Sequence, residues 1–138
     1  MSEQQNLQVI RDAYAAFSRG DIESVLNVLT DDVVWELPGP AQIPYAGVYN
    51  GKPEVAQFFS RLAGSEDVQT FEPQQFFANG DMVVVLGRYA ARVKANGKTA
   101  EADWVHAFTV RAGKIARWHE YLDTATYAKA YEQTPAYS

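Results

Sequence analysis

The chain has 138 residues, 47% of them hydrophobic, a formal net charge of -5 and no cysteine. That length supports a single domain over 1–138 with its own core, and the acidic balance with scattered Lys and Arg excludes a nucleic-acid or anionic-membrane surface. The missing cysteines exclude disulfides, thiolate catalysis and thiolate-held metals; with no charged-then-apolar leader and no long apolar run, the expectation is a cytoplasmic protein without a membrane span.

Leu7, Ile10, Tyr14 and Phe17 recur at helical spacing and predict an amphipathic helix over 6–19, ended by Gly20. Asp21 is placed to cap a second helix over 21–30, with Ile22, Val25, Leu26 and Leu29 as its buried stripe. Asp31 and Asp32 then read as turn residues. Val33–Leu37 reads as a short strand, with Val33, Trp35 and Leu37 on one face, Glu36 on the other, and Pro38-Gly39-Pro40 as its stop. Residues 38–51 form a Pro/Gly/Tyr-rich loop holding Tyr45 and Tyr49, of the kind that borders a pocket. Pro53 opens a third helix over 53–63, turning Val55, Phe58, Phe59 and Leu62 inward, with Gly64 at its end.

The rest reads as strands. Pro73 demotes the run 68–77 to an edge or a bulged strand. Asn79-Gly80 and Asn96-Gly97 are two-residue hairpin signals bracketing a long strand, Met82–Lys94. Pairing through the second turn sets Tyr89 opposite Trp104 and Gly87 opposite His106, where the missing side chain leaves room for a ligand. On the reverse face it sets Arg92 opposite Glu101 and Arg88 diagonal to Asp103. Two alternating runs then flank Arg111-Ala112-Gly113. A three-residue loop with Gly113 in the left-handed region pairs Val110 with Lys114, His106 with Trp118 and Trp104 with Glu120. Trp104, His106 and Phe108 then share a face with Trp118, Glu120 and Leu122. A two-residue loop would instead bring His119 and Tyr121 to that face; the first register is preferred because it puts Gly113 where positive φ is needed. Asp123 is placed to cap a last short helix within 124–133.

Helices followed by a meander give an α+β domain, three N-terminal helices packed on one face of a strongly curved antiparallel sheet. The other face, with Arg88, Arg92, Glu101, Asp103, Arg117, His119 and Tyr121, suits a polar homodimer interface. Glu120 among Trp104, Trp118 and Leu122 is desolvated, the setting in which a carboxyl does acid–base work, and His106 lies near enough to share a proton with it. The plainer alternative is a structural pair in a cavity wall. Tyr14, Trp35, Tyr45, Tyr49 and Tyr89 are candidate liners, and Tyr14 is the first choice to donate to a substrate carbonyl. Alternation separates His119 from His106 and Glu120, so no metal site is expected; nor is a phosphate loop, nucleophile elbow or dinucleotide fingerprint present.

The segments Ala15–Asp21, Asp31–Trp35, Ala46–Gly51, Trp104–Phe108, Gly113–Ile115 and Tyr121–Asp123, in this order and spacing, resemble the SnoaL-like and ketosteroid isomerase-like proteins of the nuclear transport factor two-like superfamily. The resemblance covers essentially the whole chain. It implies a cone-shaped α+β barrel, a deep apolar cavity between helices and sheet, and commonly a homodimer. The fold hosts isomerases, cyclases, epoxide hydrolases, dehydratases and non-catalytic partners. The ketosteroid isomerase base falls on Leu37, the protonated acid of its oxyanion hole on Trp104, and its donor tyrosine near Ala13. The acid of limonene epoxide hydrolases falls on Glu120, but their Tyr and Asn fall on Trp35 and Leu37. The His and acid of SnoaL-type cyclases fall on His106 and Glu120, the nearest functional match. The implied activity is acid–base chemistry by Glu120, His106 and Tyr14, without cofactor, on a compact apolar substrate held by Trp35, Leu37, Tyr45, Tyr49, Tyr89, Trp104, Phe108, Trp118 and Leu122. The alternative is a non-catalytic binding or dimerisation domain of the same fold.

Overall fold

In the computed structural model, which describes residues 2–132, helix α1 (Glu3–Ser18) opens on a capping box. Ser2 Oγ accepts from the Gln5 amide at 3.1 Å, and the Gln5 side chain accepts from the Ser2 amide at 2.8 Å. Gly20, at φ 73°, turns the chain out of α1, and Asp21 caps α2 (Ile22–Asn27) through the Ser24 amide. This helix is shorter than its apolar stripe predicts. The Val28 carbonyl accepts from the Ile115 amide at 2.7 Å, so the chain joins the sheet there instead of making another turn. Strand β1 (Leu29–Leu37) therefore includes Asp31 and Asp32, which are exposed strand residues and not a turn.

Strand β2 (Gly47–Asn50), helix α3 (Lys52–Ser65, with Pro53 in its first turn), strands β3 (Glu66–Asn79), β4 (Met82–Val93), β5 (Thr99–Arg111) and β6 (Lys114–Leu122), and helix α4 (Thr124–Ala130) complete the described chain. Asp123 caps α4 through the Thr126 amide at 3.1 Å; the expected end of that helix, at Gln133, lies outside the described residues. The six strands form one sheet in the order β2-β1-β6-β5-β4-β3. It is mixed, not wholly antiparallel as expected, because β1 and β6 pair in parallel. β6 ends a meander that starts at the far edge and arrives beside β1 running the same way. The sheet curls like a cone without closing, leaving β2 and β3 as edges. Pro73 sits on the edge strand β3, which also carries register shifts at Val68/Thr70 and Pro73/Gln75, so both consequences expected of that proline occur together.

The turns differ in detail from their sequence signals. Asn79 pairs with Met82, so the first hairpin loop is Gly80-Asp81. The second connection is a longer loop closed by Val93 and Lys98. It shifts the β4–β5 ladder by two residues: Val85 faces His106, Gly87 faces Trp104 and Tyr89 faces Ala102. Arg88 is directly opposite Asp103, bonding to it at 3.1 Å and to Glu101 at 2.7 Å, while Arg92 pairs with Asp67 at 2.9 Å. A shift of two leaves every side chain on its expected face.

The third turn is the informative one. Arg111 pairs with Lys114, so the loop is Ala112-Gly113, with φ 51° and 79°. A two-residue loop alone would reverse the faces of β6. It does not, because Ala116 is a bulge: Val110 pairs with Ile115 and Thr109 with Arg117, leaving Ala116 without a partner. Phe108 then faces Trp118, His106 faces Glu120 and Trp104 faces Leu122. The expected cavity face is present, through a different ladder.

Candidate active site

The concave face of the sheet and the three N-terminal helices enclose a cavity of about 80 Å³. Tyr14 reaches it from α1, His106 from β5 and Glu120 from β6. Tyr14 Oη lies 2.9 Å from His106 Nδ1, and His106 Nε2 lies 3.4 Å from Glu120 Oε1. His106 is 5% exposed, and its side chain and that of Glu120 are almost wholly withdrawn from solvent. The three groups thus form one chain: phenol, imidazole, carboxylate.

The donors and acceptors of that chain are constrained. A carboxylate only accepts, so the contact with Glu120 suits the ring tautomer that carries its proton on Nε2. A neutral ring then accepts the Tyr14 hydroxyl proton at Nδ1. A doubly protonated ring donates from Nδ1 instead, which frees the Tyr14 hydroxyl to donate into the cavity. One added proton therefore reverses the polarity of the Tyr14 hydroxyl toward a ligand. Burial, and secondly the charge of Glu120, hold the Tyr14 phenol well above its ordinary range, so it works as a neutral hydroxyl.

Aromatic stacking fixes the walls. Trp104 lies on His106 (centroids 3.9 Å apart, 19° between planes), with Phe71 stacked at 5.2 Å. Trp35 and Trp118, partners across the parallel β1–β6 pair, stack at 4.3 Å. Leu37, Tyr45, Tyr89, Phe108 and Leu122 also line the cavity. Tyr49 does not. It packs edge-on against Phe58, and its hydroxyl donates to the Tyr45 carbonyl at 2.9 Å, which makes it a prop for the loop and not a liner. Gly87 does not leave room beside His106 for a ligand either. A Cβ there would lie 2.2 Å from Trp104 Cζ2, so its space holds an indole. His119 is on the outer face, as expected, 3.2 Å from Glu36 Oε1 and stacked on Tyr121. Among the described residues no three His, Asp or Glu side chains gather as metal ligands.

One buried cluster behind the cavity wall had no signal in the sequence. Glu66, 3% exposed, accepts from the Tyr45 and Tyr89 hydroxyls, each at 2.6 Å, and from the Tyr131 hydroxyl. In sequence it reads as a solvated acid at a helix end. Its burial follows from where α3 delivers the chain into an irregular edge strand. Burial, and secondly the Glu66 charge, push the Tyr45 and Tyr89 phenols far above their ordinary range.

A model of the SnoaL-like domain matches residues 10–118. An uncharacterised protein of Mycobacterium tuberculosis (strain H37Rv) is 29% identical over 127 residues, 91% of this chain and 95% of that protein. The crystal structure of an NTF2-like protein from Burkholderia xenovorans is similar with a TM-score of 0.88 and 37% identity, over 96% of this chain and 99% of that one. The crystal structure of TerC, co-crystallised with polyporic acid, is similar with a TM-score of 0.83 and 29% identity, over 94% of this chain and 99% of that one.

Proposed function

Since the chain belongs to the SnoaL-like domain family, we propose that it is a small-molecule enzyme whose Tyr14–His106–Glu120 chain moves a proton on a compact, flat, mostly apolar substrate. The observation that carries this reading is the order of the three groups at the cavity wall, Tyr14 hydrogen-bonded to His106 and His106 Nε2 3.4 Å from Glu120. Glu120 orients the imidazole and balances its charge. His106 takes or returns the proton, and Tyr14 presents the hydroxyl that touches the substrate. Such a relay serves enolisation, and so isomerase, cyclase, dehydratase or hydrolase chemistry. Stacked indoles favour a planar ligand, and the polyporic acid found with TerC supports the same preference. At about 80 Å³ the cavity is smaller than the pockets that hold drug-sized ligands, so an aromatic ligand must part the side chains as it enters. We place the protein in the cytoplasm as a homodimer through the outer sheet face, where Tyr121 is 57% exposed beside Arg117 and His119.

The test needs no knowledge of the natural substrate. Uptake of solvent deuterium at the α-carbons of 2-tetralone, followed by NMR, reports enolisation. Wild type should accelerate it, and Glu120→Gln should lower the acceleration about a hundredfold or more, with polyporic acid binding, read by tryptophan fluorescence, retained. Equal rates in the two proteins refute the catalytic assignment. The reading then in front is a non-catalytic binder, which the apolar residues Leu37 and Trp104, both at most 2% exposed, already favour over ketosteroid isomerase chemistry.

A further inference from the structure

We propose that Phe17 is the gate of the cavity, a side chain that swings outward into a surface depression beside Gly20 to admit the ligand. It rests on the cavity being the ligand site, whether or not the site is catalytic. A cavity of about 80 Å³ has to open before an aromatic ligand can enter, so some part of its wall yields. Trp35, Leu37, Tyr45, Phe58, Trp104 and Trp118 are buried wall. The lining residues that keep partial exposure are Tyr14, Phe17, Leu62, Phe71, Glu120 and Leu122. On the outside, a depression is lined by Phe17, Ser18, Gly20, Val68 and Phe71. Among the described residues, Phe17 and Phe71 are the two that border both spaces, so they are what divides the cavity from solvent there.

Two local irregularities of the chain build the depression. Gly20, at φ 73°, turns the chain out of α1, and a Cβ placed on it would meet nothing within 4 Å, so the ground beside it is open. Across from it, β3 slips register: Val68 pairs with Ala91, Thr70 with Ala90 and Phe71 with Tyr89. Three residues apart on a regular strand, Val68 and Phe71 would point to opposite faces. The bulge between them puts both on the face of Ala91 and Tyr89. Val68, 44% exposed, then extends the apolar ground outward from Phe71.

Of the two rings, Phe17 is the one free to move. Phe71 is stacked on Trp104 at 5.2 Å and meets Tyr14 edge-on at 5.6 Å, so displacing it would disturb the wall beside His106. Phe17 meets Phe71 edge-on at 5.1 Å and Phe59 at 5.9 Å, and it borders the depression. Swinging it outward, toward Val68, gives up those two contacts and leaves the stacked wall as it is. The slot this opens leads straight to the polar chain. Tyr14 and Phe17 are three residues apart on α1 and share a face of it, so a ligand that passes Phe17 comes next to the Tyr14 hydroxyl.

The test follows entry through the fluorescence of the three tryptophans, all of which line the cavity. Stopped-flow mixing with polyporic acid gives the association rate. Phe17→Ala removes the gate and should raise the association and dissociation rates together, each about tenfold, so that affinity changes far less than either. Ser18→Tyr sets a ring over the depression from an exposed residue outside the cavity lining, and should slow both rates about tenfold. Its exposure keeps this arm in force if Phe17→Ala does not fold. Quenching by acrylamide needs no bound ligand and should follow the same order, with Phe17→Ala above wild type and Ser18→Tyr below it. If both variants bind polyporic acid at the wild-type rate and are quenched like wild type, the gate falls and the cavity remains the ligand site. If Leu122→Ala, at the end of β6, speeds entry and Phe17→Ala does not, the entrance is there and the inference falls. If wild type does not bind polyporic acid, the cavity reading loses that support and the order of quenching alone decides the gate.

Discussion

Gly87→Ala tests how tightly the site's wall is built. A Cβ at this position would sit 2.2 and 2.5 Å from Trp104 Cζ2 and Cη2, and 2.6 Å from the Glu72 carbonyl oxygen. All three contacts are too short to exist, so something must move. The carbonyl belongs to the β3–β4 pair, where Glu72 faces Arg88 and Pro73 faces Gly87. The indole is stacked on His106 and packed by Phe71. Overpacking usually costs about 1–3 kcal/mol, and with two rigid neighbours the expected cost is at the top of that range, about 3 kcal/mol. For a chain of this length the unfolding entropy is about 0.3 kcal/mol/K, so the melting temperature should fall by about 10 °C. Far-UV circular dichroism melts measure this, and the near-UV band reports whether Trp104 has moved. Gly64→Ala is the contrast. A Cβ there meets nothing within 4 Å, in the last turn of α3, so replacing a helical glycine should stabilise by about 0.5–1 kcal/mol. A Gly87→Ala protein melting within about 3 °C of wild type would refute the packing argument.

Two further outcomes are expected. Tyr14, Tyr45 and Tyr89 have phenols raised above their ordinary value by burial first; the folded state keeps these protons while the unfolded state loses them above about pH 10, so the stabilisation is complete below that pH and falls above it by about 1.4 kcal/mol per pH unit for each group, about 4 for the three. Urea midpoints that do not change between pH 9 and pH 11.5 would contradict their burial. The homodimer should give twice the monomer mass by light scattering at about 50 μM, where a standard-sized interface persists, and Tyr121→Asp should halve it; a wild-type monomer at that concentration removes the proposed interface.

What could be read from the sequence was what period and chemistry fix locally. The stripe Ile10, Tyr14, Phe17 gave α1, and Asp21 and Asp123 gave two caps, because a helix face and an N-cap depend on residues within a few positions. Alternation likewise placed Trp104, His106 and Phe108 together. Long-range closures were not readable. The parallel β1–β6 pair joins segments separated by most of the chain, and it, not any local signal, ends α2 early at the Val28 carbonyl. The Glu66 cluster is of the same kind: its three tyrosines come from the loop before β2, from β4 and from the segment after α4. Pocket aromatics and loop-propping aromatics also look alike in sequence, which is why Tyr49 was placed with Tyr45.

The face of Glu120 was foreseen correctly on a premise that fails, and the difference is testable. A three-residue loop without a bulge, and a two-residue loop with one, place one extra residue between the strands at different points, so they leave Trp118, Glu120 and Leu122 on the same side. Ala116 is that extra residue here. Deleting it leaves the pairs Val110–Ile115, Thr109–Arg117 and Phe108–Trp118 in a regular ladder, so Glu120 should still face His106. Adding a second alanine after Ala116 makes the extra stretch two residues, one full pleat, which enters the ladder regularly. Trp118, Glu120 and Leu122 then stay on the cavity side, but Glu120 shifts to face Trp104 and leaves His106. Both variants should therefore melt cooperatively by circular dichroism, and the deletion alone should keep the wild-type rate of deuterium uptake into 2-tetralone. An unfolded deletion beside an insertion of unchanged rate would show that something other than the β5–β6 ladder sets how Glu120 meets His106.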